Sequence, residues 1–570
     1  MDRELWDAQD VAGDLVPAGS VFAFLAEHRR DLFEDSFTAD LFPSGTGRPS
    51  LPADLVGAVL VLKELYALSD PQTAEALRFD IRWKVACGRS LTATSFHPST
   101  LVYWRRRIAE STRPDRVFDK VAEVIAETGI LRGRRRRCVD STVFDDAVAT
   151  QDTVTQLVAA IRKVARIVPG AQDVVAAVCA LDYTRPGKPD IDWDDPAAKA
   201  NLVSGLVNDA LAVLAALCGL DAPAREPDAA DALGLLALVA GQDVEPAEGS
   251  NGTDGRWVIA RRVAPDRMIS TVDPQTRHTR KSRSQRRDGY RGHLAGEPDT
   301  GLITDCEMTM ATGQDNTDAA VGVKMASRDR FHPTTTSTDT ATTETGAPTD
   351  DTATNDAETE TGTGADDTAT ETGADTGTGT CTAETAGCGL EVYGDSAYGS
   401  GEARAAHRQA GHDTVIKPKP LQPAVPGGFT LDDFAINDGD GTVTCPAGHT
   451  QPMSPSRSVV FGRLCHGCPL RARCTTAKTG RSMTIHPHED LLRAARVQAR
   501  TAQFKQDYPT RSTIERTVAY VATQNGRRVK LRYHGTTKNN AWLRTRCAAL
   551  NLRTLLKHSL TRTDGAWAIA

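Results

Sequence analysis

The sequence predicts an α/β protein of several domains, in which a mixed sheet is preceded by helices and interrupted by insertions. Three observations predict it. At 570 residues the chain is too long for one ordinary core. Short runs rich in β-formers, at 138–144, 289–295, 302–308, 389–395 and 412–417, are separated by stretches of helical periodicity. Residues 333–386 are almost wholly Thr, Asp, Glu, Ala and Gly, with no aromatic and no Leu, Ile or Val, so they cannot bury enough apolar surface to fold.

Taken in order, residues 1–130 read as a helical domain. Pro52 suits a first helical turn, and Leu55, Val56, Val59, Leu60 and Leu65 form an apolar stripe behind it. Asp70-Pro71 looks like a cap and first turn, and Asp80 caps a third helix ending at Gly88. A fourth helix follows Pro98, with Leu101, Trp104 and Ile108 on one side and Arg105, Arg106 and Arg107 beside them. On these residues alone a small helical bundle is favoured over a helix-turn-helix-like DNA-binding module.

The first core strand falls in 131–147, and 148–270 reads as a mainly helical insertion. Core strands and a helix resume at 271–331, the acidic Thr-rich linker covers 332–388, and the core returns at 389–430. A cysteine-bearing insertion occupies 431–485, and helices at 486–560 close the core. Three strands, helix, strand, helix, strand and final helix is the order expected of a ribonuclease-H-like α/β core.

The net charge of -7 argues at first sight against a nucleic-acid partner. Residues 332–388, however, hold twelve acidic and no basic residues, so the remainder carries 67 basic against 62 acidic, a net of +5. Basic residues cluster at 134–137 and 277–291, where they either neutralise phosphates or are simply solvated. No apolar run approaches the ~20 residues of a membrane span, and the N-terminus lacks a basic-then-apolar signal pattern. A cytoplasmic, nucleoid-associated protein with reduced cysteines and no membrane partner is expected.

Candidate chemistry sits on three carboxylates. Asp140 lies mid-way along the first strand and Asp395 at the end of the fourth, strands that are neighbours in this topology. Glu515, on the last helix, would pack across that edge. On a helix, offsets of three and seven put Tyr508, Arg511 and Glu515 on one face. Three converging carboxylates repel one another unless cations lie between them. Two Mg²⁺ ions (or Mn²⁺) about 4 Å apart would remove that penalty and clamp the attacking and leaving oxygens of a phosphodiester.

The combination resembles the DDE transposases of bacterial insertion sequences, in the group with a Tyr-(x2)-Arg-(x3)-Glu-(x6)-Lys signature. The resemblance rests on Val139-Asp140-Ser-Thr, Gly289-Tyr290-Arg-Gly-His293, Tyr393-Gly-Asp395-Ser-Ala-Tyr398-Gly, and Tyr508, Arg511 and Glu515, in that order. Arg532-Tyr-His-Gly535 and Ala548-Ala-Leu-Asn551-Leu add to it. It implies Asp140, Asp395 and Glu515 as metal-binding catalytic residues, with Tyr508 and Arg511 contacting phosphate. The chain departs from the signature at Ala522, where the group has Lys; Arg516, Arg527, Arg528 or Lys530 would have to supply that contact. The implied activity is cleavage of element ends and joining of their 3′-hydroxyls to target DNA. The implied partners are double-stranded terminal inverted repeats, target DNA and a second copy of the chain in a synaptic dimer. Two other readings are a DNA-binding protein without catalysis and a ribonuclease-H-fold nuclease without strand transfer.

A second constellation is Cys445, Cys465, Cys468 and Cys474, spaced C-x19-C-x2-C-x5-C on turns rich in Gly and Pro. Four thiolates so spaced suit a tetrahedral structural Zn²⁺ in a small zinc-ribbon-like insertion, with His449 or His466 able to replace one ligand.

Overall fold

The computed structural model describes residues 6–42, 50–218, 226–262, 264, 266–280, 286–332 and 389–570. The Thr/Asp/Glu-rich linker expected at 332–388 therefore lies, apart from His332, outside the described residues.

The central sheet comprises β1 (Arg136–Asp145), β2 (Arg277–Arg280), β3 (Arg286–Gly296), β4 (Ile303–Met310), β5 (Glu391–Gly394) and β6 (Asp413–Ile416). Its order is β3-β1-β5-β6, with β2 and β4 both pairing the outer side of β3. The strands β1, β3 and β4 run antiparallel, whereas β5 and β6 run parallel to β1. Gly289 allows the β1–β3 pairing to close: its φ is +151°, and a Cβ there would stand 1.9 Å from the Phe144 carbonyl oxygen.

Four core helices matter for the site: α1 (Asp318–Ser327), α2 (Gly401–Gln409), α3 (Ser512–Ala522) and α4 (Thr536–Lys557). Helix α3 turns Ile514, Val518, Val521 and Ala522 inward, a 3–4-residue spacing that buries one stripe. Helix α4 is the hub. Its Asn551 side chain accepts from Ile303 N and donates to Ile303 O, each at 2.8 Å, and Asn540 Oδ1 accepts from Met308 N at 2.9 Å. These amides satisfy backbone groups along the edge strand β4 that would otherwise be left unpaired.

The N-terminal helices are not an appendage. Val21–Leu32, Ala53–Leu65, Ser99–Glu110 and Arg116–Thr128 share one continuous apolar core with β1, β3, β4, α3 and α4. Polar contacts cross the same boundary. Arg546 of α4 donates to Glu64 O at 2.6 Å, and Lys63, paired with Glu64 at 2.7 Å, reaches Tyr533 Oη at 3.3 Å. Ser69 rather than Asp70 caps the helix Asp70–Phe79, in a capping box closed by Gln72.

Between β1 and β2 lie the helices Thr153–Ile167, Ala171–Val178, Pro196–Cys218 and Pro227–Gln242 with a core of their own. The expectation that no apolar run reaches membrane length is corrected here: by length and composition, Pro196–Leu217 is such a helix. It packs Leu202, Val203, Leu206, Val207, Ala210 and Val213 into the insertion's core, and the buried Asp209 accepts from Ala180 N, Leu181 N and the Tyr183 hydroxyl.

Candidate active site

The parallel register of β1 and β5 sets Cys138 opposite Tyr393. Two residues further on each chain are Asp140 and Asp395, so the two carboxylates leave adjacent strands at the same level and on the same face. Glu515 comes from the first turn of α3, which packs across this end of the sheet. Tyr508 and Arg511 precede it on a 3₁₀ turn, Tyr508–Arg511, instead of the regular helix that their spacing suggests. Pro509 in that turn has no N–H to donate, which favours such a tightened start.

One guanidinium joins the three acids. Arg511 Nη1 lies 2.7 Å from Glu515 Oε1, and Nη2 lies 3.6 Å from Asp140 Oδ1 and 4.0 Å from Asp395 Oδ2. Burial falls off across the cluster, with side-chain exposures of 17% for Asp140, 43% for Asp395 and 54% for Glu515. Burial pushes the Asp140 carboxyl up to about 6, the Ser141 N–H (2.9 Å) and Arg511 pull it down, and Asp395 and Glu515 raise it. Asp395 Oδ1 accepts from Ala397 N at 2.8 Å, which fixes the turn after β5. The Tyr508 ring stacks on Phe504 with centroids 5.0 Å apart, and burial holds its hydroxyl above the ordinary tyrosine range.

Asp140 has a supporting layer that its sequence pattern did not disclose. Ser141 Oγ donates to Asp318 Oδ1 at 2.6 Å, and Asp318 also takes Arg291 Nη1 at 3.0 Å. His293 lies fully buried 3.5 Å from Asp318, and burial holds its imidazole down at about 3, so it is neutral. Asp318 opens α1 one residue after its Thr317 cap, an N-terminal cue that marks a helix start and says nothing of a neighbour on β1.

The remaining basic candidates divide. Helix α3 buries Ala522, so the signature's lysine position faces the core in this chain. Arg528 is engaged, donating to Val143 O and standing 3.7 Å from Asp145. Arg516, Arg527 and Lys530 are exposed, and Lys530 lines an open cleft with Asp145, His278, Arg286, Arg287 and Asp288. The guanidinium groups of the arginine run 134–137 are engaged within the protein, although Arg134 stays exposed. Arg134 and Arg136 share Asp299, Arg135 holds Gly389 O and Asp413, and Arg137 forms a buried pair with Asp329 at 2.6 Å. In the second run, Arg287 pairs with Asp145 and Arg291 with Asp318, while 281–285 lie outside the described residues.

Cys445, Cys465, Cys468 and Cys474 line one small cavity of about 20 Å³, together with His449. Burial raises the Cys474 thiol, as do the other three cysteines, and Arg481 N donates to Cys465 Sγ at 3.4 Å. Among the described residues, neither these thiols nor the three carboxylates form a ready-made cage of His, Cys, Asp or Glu around a cation.

Comparison with protein families gives two matches. Residues 11–107 match a family described as transposase domain (DUF772), and residues 444–556 match the transposase DDE domain. The chain carries a transposase DDE domain and an N-terminal transposase domain. The DDE match spans the four cysteines, Tyr508, Arg511 and Glu515, and it implies a ribonuclease-H-like fold, polynucleotidyl-transferase chemistry, a divalent metal and DNA binding. Asp140 and Asp395 lie outside both matched segments. No curated protein and no solved structure matches the chain.

Proposed function

We propose that this transposase cleaves the ends of an insertion sequence and joins the freed 3′-hydroxyls to target DNA, with Asp140, Asp395 and Glu515 as the catalytic acids. The observation that carries the reading is the meeting of three carboxylates from β1, β5 and α3 on a single guanidinium. Neither DNA binding nor packing alone calls for such a cluster, since like charges raise one another's pKa. The donors are all carboxylate oxygens, the ligand type that hard divalent ions take, so the set fits Mg²⁺ or Mn²⁺. When bound, the metal supplies Lewis-acid stabilisation of the phosphoryl group and of the leaving oxygen. Tyr508, Arg511, Arg516, Arg527 and Lys530 would hold backbone phosphates, and a synaptic dimer would bring the two element ends together. The cytosol, where DNA is at hand, is the proposed location.

The cysteine cavity supports a separate, structural role. Cys445, Cys465, Cys468 and Cys474 would hold Zn²⁺ and staple the insertion 431–485, whose core is small. The test of the reading is a Mg²⁺-dependent reaction on terminal-repeat DNA with a target plasmid. Joined products that vanish in Asp140→Asn, Asp395→Ala and Glu515→Ala support transposition. Nicks without joining favour a nuclease, and binding without either favours a DNA-binding protein.

A further inference from the structure

Arg511 is held differently from Arg546 and Arg116, two fully buried arginines. Arg546 donates to Glu64 O, Val521 O and Thr523 O at 2.6, 2.7 and 2.9 Å. Arg116 makes a two-pronged pair with Asp40 at 2.8 Å and also bonds Phe37 O and Ser111. Arg116 is thus a finished, forked ion pair, and Arg546 a guanidinium satisfied by backbone carbonyls. Arg511, only 13% exposed, makes one close contact, to the most exposed acid of the cluster. Its approaches to Asp140 and Asp395 are long, and its Nε is buried without a hydrogen-bond partner. A buried donor left unsatisfied costs about 1–3 kcal/mol. The side chain is placed by the charge it neutralises more than by the bonds it makes.

We infer that Arg511 is a built-in stand-in for the catalytic cation: in the metal-free protein its guanidinium screens the three acids, and it must withdraw toward a DNA phosphate as divalent metal enters. The inference rests on the reading of Asp140, Asp395 and Glu515 as metal ligands. A guanidinium competes with metal for the same oxygens, since both are cations drawn to the same three negative charges. Metal uptake is then coupled to substrate. A phosphate that offers Arg511 a bidentate partner vacates the acids and raises their affinity for the ion, and by linkage metal strengthens the phosphate contact. The protein would load its metal on DNA and resist loading it without.

The test is calorimetric titration of the full-length, metal-free protein with MnCl₂, in wild type, Arg511→Gln, Arg511→Lys and Asp140→Asn. Arg511→Gln is expected to bind Mn²⁺ at least about tenfold more tightly than wild type, an effect of about 1.4 kcal/mol, and Arg511→Lys to stay near wild type. A short 5′-phosphorylated DNA duplex is expected to tighten Mn²⁺ binding to wild type and to leave Arg511→Gln unchanged. Equal or weaker Mn²⁺ binding by folded Arg511→Gln overturns the inference. Should that variant fail to fold, a wild-type affinity that DNA does not alter overturns it equally. Asp140→Asn separates the two levels of the argument: if it binds Mn²⁺ as wild type does, the ligand assignment is what fails.

Discussion

The acidic cluster and the cysteine cluster are assembled in opposite ways. Asp140, Asp395 and Glu515 come from far-separated parts of the chain, and a large core of strands and helices holds them. The four cysteines come from one short stretch, around a core of seven buried residues that includes Cys465 and Cys474 themselves. Charge is handled differently too. The acids already have Arg511 among them, whereas burial and the neighbouring cysteines raise the Cys474 thiol above the ordinary range. A scaffold that exists before its metal should lose chemistry when a ligand is removed; a scaffold made by its metal should lose structure.

The largest effect is therefore expected at the thiols. Cys468→Ser should lose stoichiometric zinc by elemental analysis and open 431–485 to limited proteolysis while the remaining core stays resistant. The free energy at stake in such sites is roughly 10–16 kcal/mol. Wild-type protein purified without zinc and equally protease-resistant would break the comparison. Next comes Asp395→Ala, expected to slow strand cleavage by at least about 10³-fold, several kcal/mol of transition-state stabilisation. Its melting temperature in EDTA should stay within about 2 °C of wild type, because the side chain is half exposed and its removal relieves repulsion. A fall as deep as that of Cys468→Ser would show that the acids also build the fold.

A third measurement concerns pH. Asp140 is raised from 3.8 to about 6 in the folded, metal-free protein. The folded state thus holds a proton that the unfolded chain releases, so this stabilising contribution is full below about pH 4 and is lost as pH rises through about 6. Its size is on the order of 3 kcal/mol. Urea unfolding in EDTA at pH 4 and pH 7 should show a smaller pH difference for Asp140→Asn than for wild type; identical differences would remove Asp140 as the cause. The smallest effect is expected from His449→Ala. If the four thiolates are the ligands, zinc content is retained and stability shifts by no more than about 0.5 kcal/mol. Loss of zinc would instead make His449 a ligand.

Much of the sheet was legible because alternating β-branched runs and Gly/Pro punctuation are local signals. The strand carrying Asp140, the strand ending at Asp395 and the helix carrying Glu515 were all marked in this way, and a buried register then brought the first two side by side. The arginine run 134–137 was not legible, because its partners Asp299, Asp329 and Asp413 are remote in sequence and a charge run looks the same whether it meets carboxylates or phosphates. Asp318 was missed for a similar reason: nothing in a helix-capping pattern announces Ser141 across the fold. The apolar helix Pro196–Leu217 was underrated because scattered polar residues such as Asp209 break the run in sequence yet find partners once folded.

What the sequence by itself determined is the set of elements and the chemical types they carry: acids on two strands and a helix, and thiols on tight turns. Those follow from periodicity, turn chemistry and composition, which act over a few residues. Only the tertiary structure decided which charges meet. It spent the arginine run on internal carboxylates, turned Ala522 into the core, and set Arg511 alone among three acids. Electrostatic partnership depends on distance in space and on burial, and neither is written in the spacing along the chain.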